Sequence, residues 1–292
     1  MRALVTGAGG QVGRELVLRV PGGADVVALD RAGLDLTDAD AVAAAVAAYR
    51  PDVVLNAAAY TAVDRAEGEA ALAFAVNRDG AARLAAACAA HGAALLHLST
   101  DYVFDGTKPT PYAEDDPASP LGVYGRSKWE GEEAVRERLD RHVIVRVAWV
   151  FGPHGHNFVK TMARLAQDRE ELRVVADQRG GPTPAGAIAD ALWAIAGQIA
   201  EGREAWGTVH FCGAPATTWH GLAEAAIAEA RALGPVACRR VLPIATADYP
   251  TPAARPANSV LACDRIAERW GLAQPDWRPY IGETVAAQDA DR

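Results

Sequence analysis

The chain has 292 residues, of which 50% are hydrophobic, 23% charged and 7% aromatic. That balance excludes a disordered or fibrous protein and supplies a core for one large or two modest domains. With 29 Lys+Arg against 37 Asp+Glu the formal net charge is −8, and because gripping a phosphate backbone needs a clustered basic face, nucleic acid is excluded as the main partner.

Short apolar runs alternate with longer alanine-rich segments through the first half. Ala3-Leu4-Val5 reads as a buried strand, 11–19 as a helix, Val26-Val27-Ala28-Leu29 as a second strand and 38–50 as a second helix, with Thr37 and Asp40 in the spacing of a weak capping box. Val53-Val54-Leu55 makes a third strand, 70–91 a long helix, 94–98 a fourth strand, 124–139 a further helix and 143–147 a fifth strand. Continuous apolar strands separated by helices predict an α/β fold, a Rossmann-type doubly wound parallel sheet over residues 1–150. After Val150 the rhythm loosens, with Gly152-Pro153, Gly180-Gly181-Pro182 and Pro184 between helices expected at 158–167, 188–200 and 219–233. Residues 151–292 therefore read as a smaller substrate-binding region, some segments of which return to the first domain. Pro250, Pro252 and Pro256, with Pro243 just upstream, exclude regular helix or central strand over 247–256 and make that stretch a working loop.

The four cysteines, Cys88, Cys212, Cys238 and Cys263, have no C-x-x-C spacing, so they read as buried free thiols in a reducing compartment. Arg2 is the one basic residue before the glycine-rich turn at Gly7, which leaves no room for an apolar signal region. The alanine-rich stretch from Ala39 to Ala48 stops well short of the ~20 apolar residues a membrane span needs. The expectation is a soluble, cytoplasmic protein with no membrane partner.

Directly after the first strand, Gly7, Gly10 and Gly13 fall in G-x-x-G-x-x-G spacing around Gln11 and Val12. Glycines suit a tight turn whose backbone approaches a pyrophosphate, while the helix that follows offers N–H donors and the positive end of its dipole. Asp30 ends the second strand, where a carboxylate can bond the adenosine ribose hydroxyls. Asp30 alone favours NADH, because it repels a 2′-phosphate, but Arg31 beside it can pair with that phosphate, so NADH and NADPH both stay open.

Tyr124 and Lys128 stand four residues apart at the start of a helix, hence on one face. An ammonium near a phenol stabilises phenolate and lets the tyrosine exchange a proton with a carbonyl or alcohol oxygen. Thr100 lies at the carboxyl end of the fourth strand, the edge where open α/β sheets bind ligands. His97, inside that strand, reads as core.

The fingerprint, Thr100 and the Tyr124/Lys128 pair, in that order, resemble the extended short-chain dehydrogenase/reductase superfamily. Within it the chain resembles the dTDP-4-dehydrorhamnose reductase family almost end to end. The segments that carry this are Val54 to Asp64, Ser99-Thr100-Asp101-Tyr102-Val103-Phe104, Ser119 to Gly125, Asn157 to Met162, Asp177-Gln178 with Gly181-Pro182-Thr183, and above all the proline-rich run from Tyr249 to Ser259. The resemblance implies reduction of dTDP-4-dehydro-L-rhamnose by NADPH or NADH, with Thr100, Tyr124 and Lys128 as the catalytic set. It implies cofactor contacts at Gly10, Gln11, Val12, Asp30, Asp35, Leu36, Ala59, Tyr60 and Thr61, with Tyr124 and Lys128 at the nicotinamide ribose. Tyr60 stands where some relatives have His. The nucleotide-sugar substrate is implied to meet Thr100, Asp101 and Trp149. Two further residues have paired readings: Asn157 as substrate ligand or helix cap, and Arg255 as a diphosphate ligand or a solvated loop residue. Some relatives hold a divalent ion, such as Mg2+, between acidic side chains at a homodimer interface, and Glu15 matches one such position. The rivals are another NDP-4-keto-6-deoxyhexose reductase and a non-catalytic nucleotide-binding regulatory subunit. A 4,6-dehydratase would place an Asp-Glu pair after the threonine, whereas Asp101 is followed by Tyr102.

Overall fold

A computed structural model of the chain describes residues 1–290. Five strands, β1 (Arg2–Thr6), β2 (Asp25–Leu29), β3 (Val53–Asn56), β4 (Ala94–Thr100) and β5 (His142–Val147), join Gly207–His210 in one six-stranded sheet. Its order is Gly207–His210, β5, β4, β3, β1, β2, and every pair is parallel. The apolar strand runs are continuous because both faces are covered. Along β1 and β3 successive residues alternate between two cores: Ala3, Val5, Val53 and Leu55 pack on one side, Leu4 and Val54 on the other. The first core is closed by α1 (Gln11–Leu18) and the helix Ala185–Ala200, where Trp193 Nε1 donates to Leu16 O at 3.0 Å. The second is closed by α2 (Ala39–Tyr49) and the helix Ala81–His91.

A third apolar cluster joins the helices Phe158–Asp168 and Trp219–Leu233 through Val159, Met162, Leu222 and Ile227. Beside it the strands Glu171–Val175 and Arg240–Ile244 pair in parallel, and Pro243 is accommodated in that two-stranded ribbon rather than in the central sheet. The run 249–256 is irregular, as its prolines dictate. Among the described residues no helix is long and apolar enough to cross a membrane.

Several elements depart from the sequence reading. The segment 70–91 is not one α-helix: Ala70–Phe74 and Ala81–His91 flank a π-helical stretch, Ala75–Gly80. The extra residue turns Asn77 inward, where it accepts from Tyr60 N at 2.8 Å and donates to Tyr60 O and Ser127 Oγ, each at 3.0 Å. No capping box forms at Thr37. Asp38 caps α2 by accepting from Ala41 N, while Thr37 bonds Asp35. Gly207–His210 and the helices Asp264–Trp270 and Pro279–Ala290 were not anticipated.

The largest electrostatic commitment of the fold is Glu132, fully buried on the helix Val123–Arg138. Arg146 of β5 donates to it from Nε at 2.9 Å and Nη2 at 2.7 Å, and Arg136 adds a third bond at 2.7 Å. Burial alone would raise this carboxyl, but Arg146 and Arg136 overrule it and bring the pKa down to about 2. The pair therefore stabilises the fold fully above the ordinary carboxylate range, and the contribution declines as pH falls toward about 2. Glu132→Leu leaves Arg146 buried without its carboxylate, and we expect urea denaturation to show a loss of about 3–5 kcal/mol.

Candidate active site

The strand order reverses between β1 and β3, so the turns leaving these two strands diverge and open a crevice at their carboxyl ends. Gly7, at φ +73°, makes the turn after β1, and a Cβ there would lie 2.5 Å from Ala58 N. Gly13 is equally obligatory, since its Cβ would meet Gly7 O at 2.0 Å. Helix α1 begins at Gly10 with no side-chain cap, which leaves the N-terminal dipole facing the crevice. The resulting cleft, of about 380 Å³, is lined by Gly7, Gly10, Asp30, Arg31, Asp35, Leu36, Ala59 and Tyr60, among others. Asp30 Oδ1 accepts from Ala32 N and Gly33 N, both at 3.0 Å, and so shapes its own loop. Arg31 is exposed and 3.8 Å from Asp35. A bare glycine turn, an uncapped helix end and a carboxylate at the β2 end together fit a dinucleotide. Thr61, by contrast, is exposed and does not line this cleft.

Tyr124 and Lys128 project from the helix Val123–Arg138, which is seated against the loop after β4 by glycines. A Cβ at Gly125 would stand 2.2 Å from Tyr102 O, and one at Gly131 2.2 Å from Asn77 O. Glu67 accepts from Val123 N at 2.8 Å and caps the first turn. Lys128 is buried and donates to Leu98 O at 2.7 Å; burial pulls its pKa down to about 8, against the raising influence of Glu132. Burial pushes the Tyr124 phenol up to about 12, partly offset by a hydrogen bond with Thr100, so it holds its proton at neutral pH. Thr100 donates to Asp101 Oδ1 at 3.0 Å and accepts from Tyr102 N. Asp101 is itself buried and its pKa is raised to about 6 by desolvation, with bonds from Ser259 and Thr100 opposing.

Across the crevice a second cleft of about 650 Å³ is bounded by Phe158, Met162, Val175, Trp219, Tyr249 and Arg255. Trp149 stacks on Trp219 with ring centroids 3.6 Å apart and planes 9° from parallel, and its other face lies on Gly180, whose Cβ would fall 2.4 Å from the indole. Trp149 adopts φ +48°, a strained conformation held by these neighbours. Arg255 is half-buried at the wall of this cleft, where it donates to Asp64 Oδ2 at 2.8 Å and ties the proline-rich loop to the segment after β3. Asn157 has its polar groups engaged, accepting from Lys160 N as a helix cap and donating to Gln11 Oε1 at 3.0 Å and Gly152 O at 2.8 Å. It caps the helix Phe158–Asp168 and braces it against α1.

Glu15, the residue matched to the metal expectation, is engaged within this chain. One carboxylate oxygen accepts from Arg19 Nε at 2.8 Å and the other faces His154 Nε2 at 3.4 Å. Among the described residues no three His, Cys, Asp or Glu side chains gather in a way that would hold an ion. These groups do not fit a divalent cation. Asn56, His97 and Glu67 also support this region, through partners that lie far away in the sequence, and only the tertiary structure brings those partners to them.

The family model described as the RmlD substrate binding domain matches residues 1–289. A dTDP-4-dehydrorhamnose reductase of Burkholderia thailandensis is 47% identical, covering 98% of both chains. A probable dTDP-4,6-dihydroxy-2-methyloxan-3-one 4-ketoreductase of Streptomyces antibioticus is 44% identical over 97% of this chain and 94% of its own. Among solved structures, the dTDP-4-dehydrorhamnose reductase of Bacillus anthracis in complex with NADP superposes with a TM-score of 0.89 at 35% identity, over 98% of each chain.

Proposed function

The chain belongs to the RmlD substrate-binding-domain family, and from that premise we propose that it reduces dTDP-4-dehydro-L-rhamnose to dTDP-L-rhamnose. The observation that carries the chemistry is the placement of Tyr124 on one helix face with the buried Lys128 and beside the Thr100 hydroxyl. When bound, the nicotinamide cofactor supplies the hydride.

Residues 1–150 hold the cofactor and 151–292 mainly cover the sugar. Gly7, Gly10, Gln11, Val12 and Gly13 present the pyrophosphate site, Asp30 and Arg31 the adenosine ribose, and Ala59 and Tyr60 the wall below β3, with Thr61 outside the cleft. Thr100 orients the C4 carbonyl. Tyr124 donates its proton to the oxygen as negative charge develops there, and Lys128 stabilises the phenolate left behind. Trp149, whose two faces are taken by Trp219 and Gly180, offers the deoxysugar the edge of its indole, and the buried carboxyl of Asp101 hydrogen-bonds a sugar hydroxyl. A second reading, reduction of a different 4-keto-6-deoxyhexose, draws support from the Streptomyces antibioticus relative. The regulatory-subunit reading has no such support and leaves Thr100, Tyr124 and Lys128 without a purpose.

Assays following loss of reduced-cofactor absorbance with enzymatically made dTDP-4-dehydro-L-rhamnose should give dTDP-L-rhamnose. Tyr124→Phe should lower kcat by about 10²–10⁴-fold with KM little changed. No turnover of this sugar, with turnover of another 4-ketohexose, would transfer the assignment to the second reading. Arg31 is largely exposed and only loosely paired. Arg31→Ala should therefore raise KM for NADPH by about tenfold while leaving NADH nearly unaffected, and equal effects on both would remove it from the 2′-phosphate site.

A further inference from the structure

A buried polar chain crosses the sheet beneath the site. Thr6 of β1 donates to Asn56 Oδ1 at 2.7 Å, Asn56 Nδ2 meets His97 Nδ1 at 2.9 Å, and His97 Nε2 stands 3.5 Å from Lys128 Nζ. All four side chains are at most 2% exposed, so bulk solvent does not reach them. The directions of these bonds are fixed from one end. Ala58 N–H, which can only donate, lies 3.1 Å from Asn56 Oδ1. The amide oxygen must therefore face Ala58 and Thr6, and the NH2 must face His97. Nδ1 of the ring is then an acceptor, and a neutral imidazole carries its proton on Nε2, pointing at Lys128.

We infer that His97 is a positioning residue that favours the free-amine form of Lys128 in the cofactor-free protein by presenting an N–H, rather than a lone pair, to Nζ. The amine accepts from Nε2–H and donates to Leu98 O, satisfying both neighbours; the ammonium satisfies only Leu98. The consequence for the proposed reaction, on which this inference rests for its meaning but not for its geometry, is that ligand oxygens entering the crevice, being acceptors, shift Lys128 further toward the ammonium. The groups facing this pair are few. Glu132 and Arg136 lie further along the same helix as Lys128, and His142 begins β5. Glu132 favours the ammonium, so carboxylate and imidazole act on Lys128 in opposite senses. Burial and the Lys128 charge together hold His97 far below its ordinary pKa, in keeping with a neutral ring.

The test needs neither cofactor nor sugar, so its failure is distinct from failure of the reductase reading. Long-range 1H–15N spectra of the cofactor-free protein report the tautomer of each of its 7 histidines, once backbone assignments identify the rings. His97 should carry its proton on Nε2; a proton on Nδ1 overturns the inference in the unmodified protein. The lysines are Lys108, Lys128 and Lys160, and the side-chain carbon shift of Lys128 gives its titration midpoint directly. Asn56→Asp keeps acceptors for Ala58 and Thr6 but must draw the ring proton to Nδ1, turning Nε2 into an acceptor for the ammonium. The Lys128 midpoint should then rise by about one pH unit or more, and by more than in the Asn56→Asp/His97→Phe double variant, which carries the same new charge without a ring nitrogen; an equal rise in both overturns the inference. A midpoint that stays in place while the tautomer switches overturns the inference as well.

Discussion

On the helix Val123–Arg138 a buried ammonium, Lys128, is followed one turn later by a buried carboxylate, Glu132. Neither charge is tolerable in an apolar layer without partners, and the partners dictate what must surround the helix. Arg146 reaches from β5 to close both oxygens of Glu132, and Leu98 O reaches from β4 to accept from Lys128. To make these contacts the helix backbone has to lie almost on its neighbours, which is why Gly125 and Gly131 occupy its points of closest approach. The phenol of Tyr124, on the same face as Lys128, is thereby held by the packing that neutralises the charges below it.

The reversal of strand order supplies the complementary half of the site. Gly7 and Gly13 let the turn after β1, the turn after β3 and the start of α1 converge to within backbone contact. The π-helical stretch around Asn77 then fixes the other wall, because Asn77 grips Tyr60 on one side and Ser127 of the catalytic helix on the other. One side chain thus ties the proposed cofactor wall to the proposed catalytic helix.

The covering region is anchored by long-range pairs. Asn157 joins α1 to the helix Phe158–Asp168, and Arg255 with Ala253 N fastens the proline-rich loop onto Asp64. The strained Trp149, clasped between Gly180 and Trp219, ties the end of the β5 segment to the covering region in the same way.

What the sequence determined by itself is what local physics encodes. Strand and helix alternation, the glycine turn, and a phenol and an ammonium four residues apart all follow from periodicities of a few residues, and the family motifs extend the same reading along the chain. The tertiary structure decided everything that depends on which strand lies beside which. His97 reads as core from its strand pattern, and only the β3–β4 register brings it between Asn56, 41 residues away, and Lys128, 31 residues away. Arg255 reads as solvated or ligand-seeking until a partner 191 residues distant is placed against it. Gly207–His210 is a short stretch with no helical or alternating signal, and it is a strand because β5 presents an unpaired edge for it to complete. Hydrogen bonds and ion pairs of this kind act over a few ångströms of space with no limit on separation along the chain, so no local pattern could announce them.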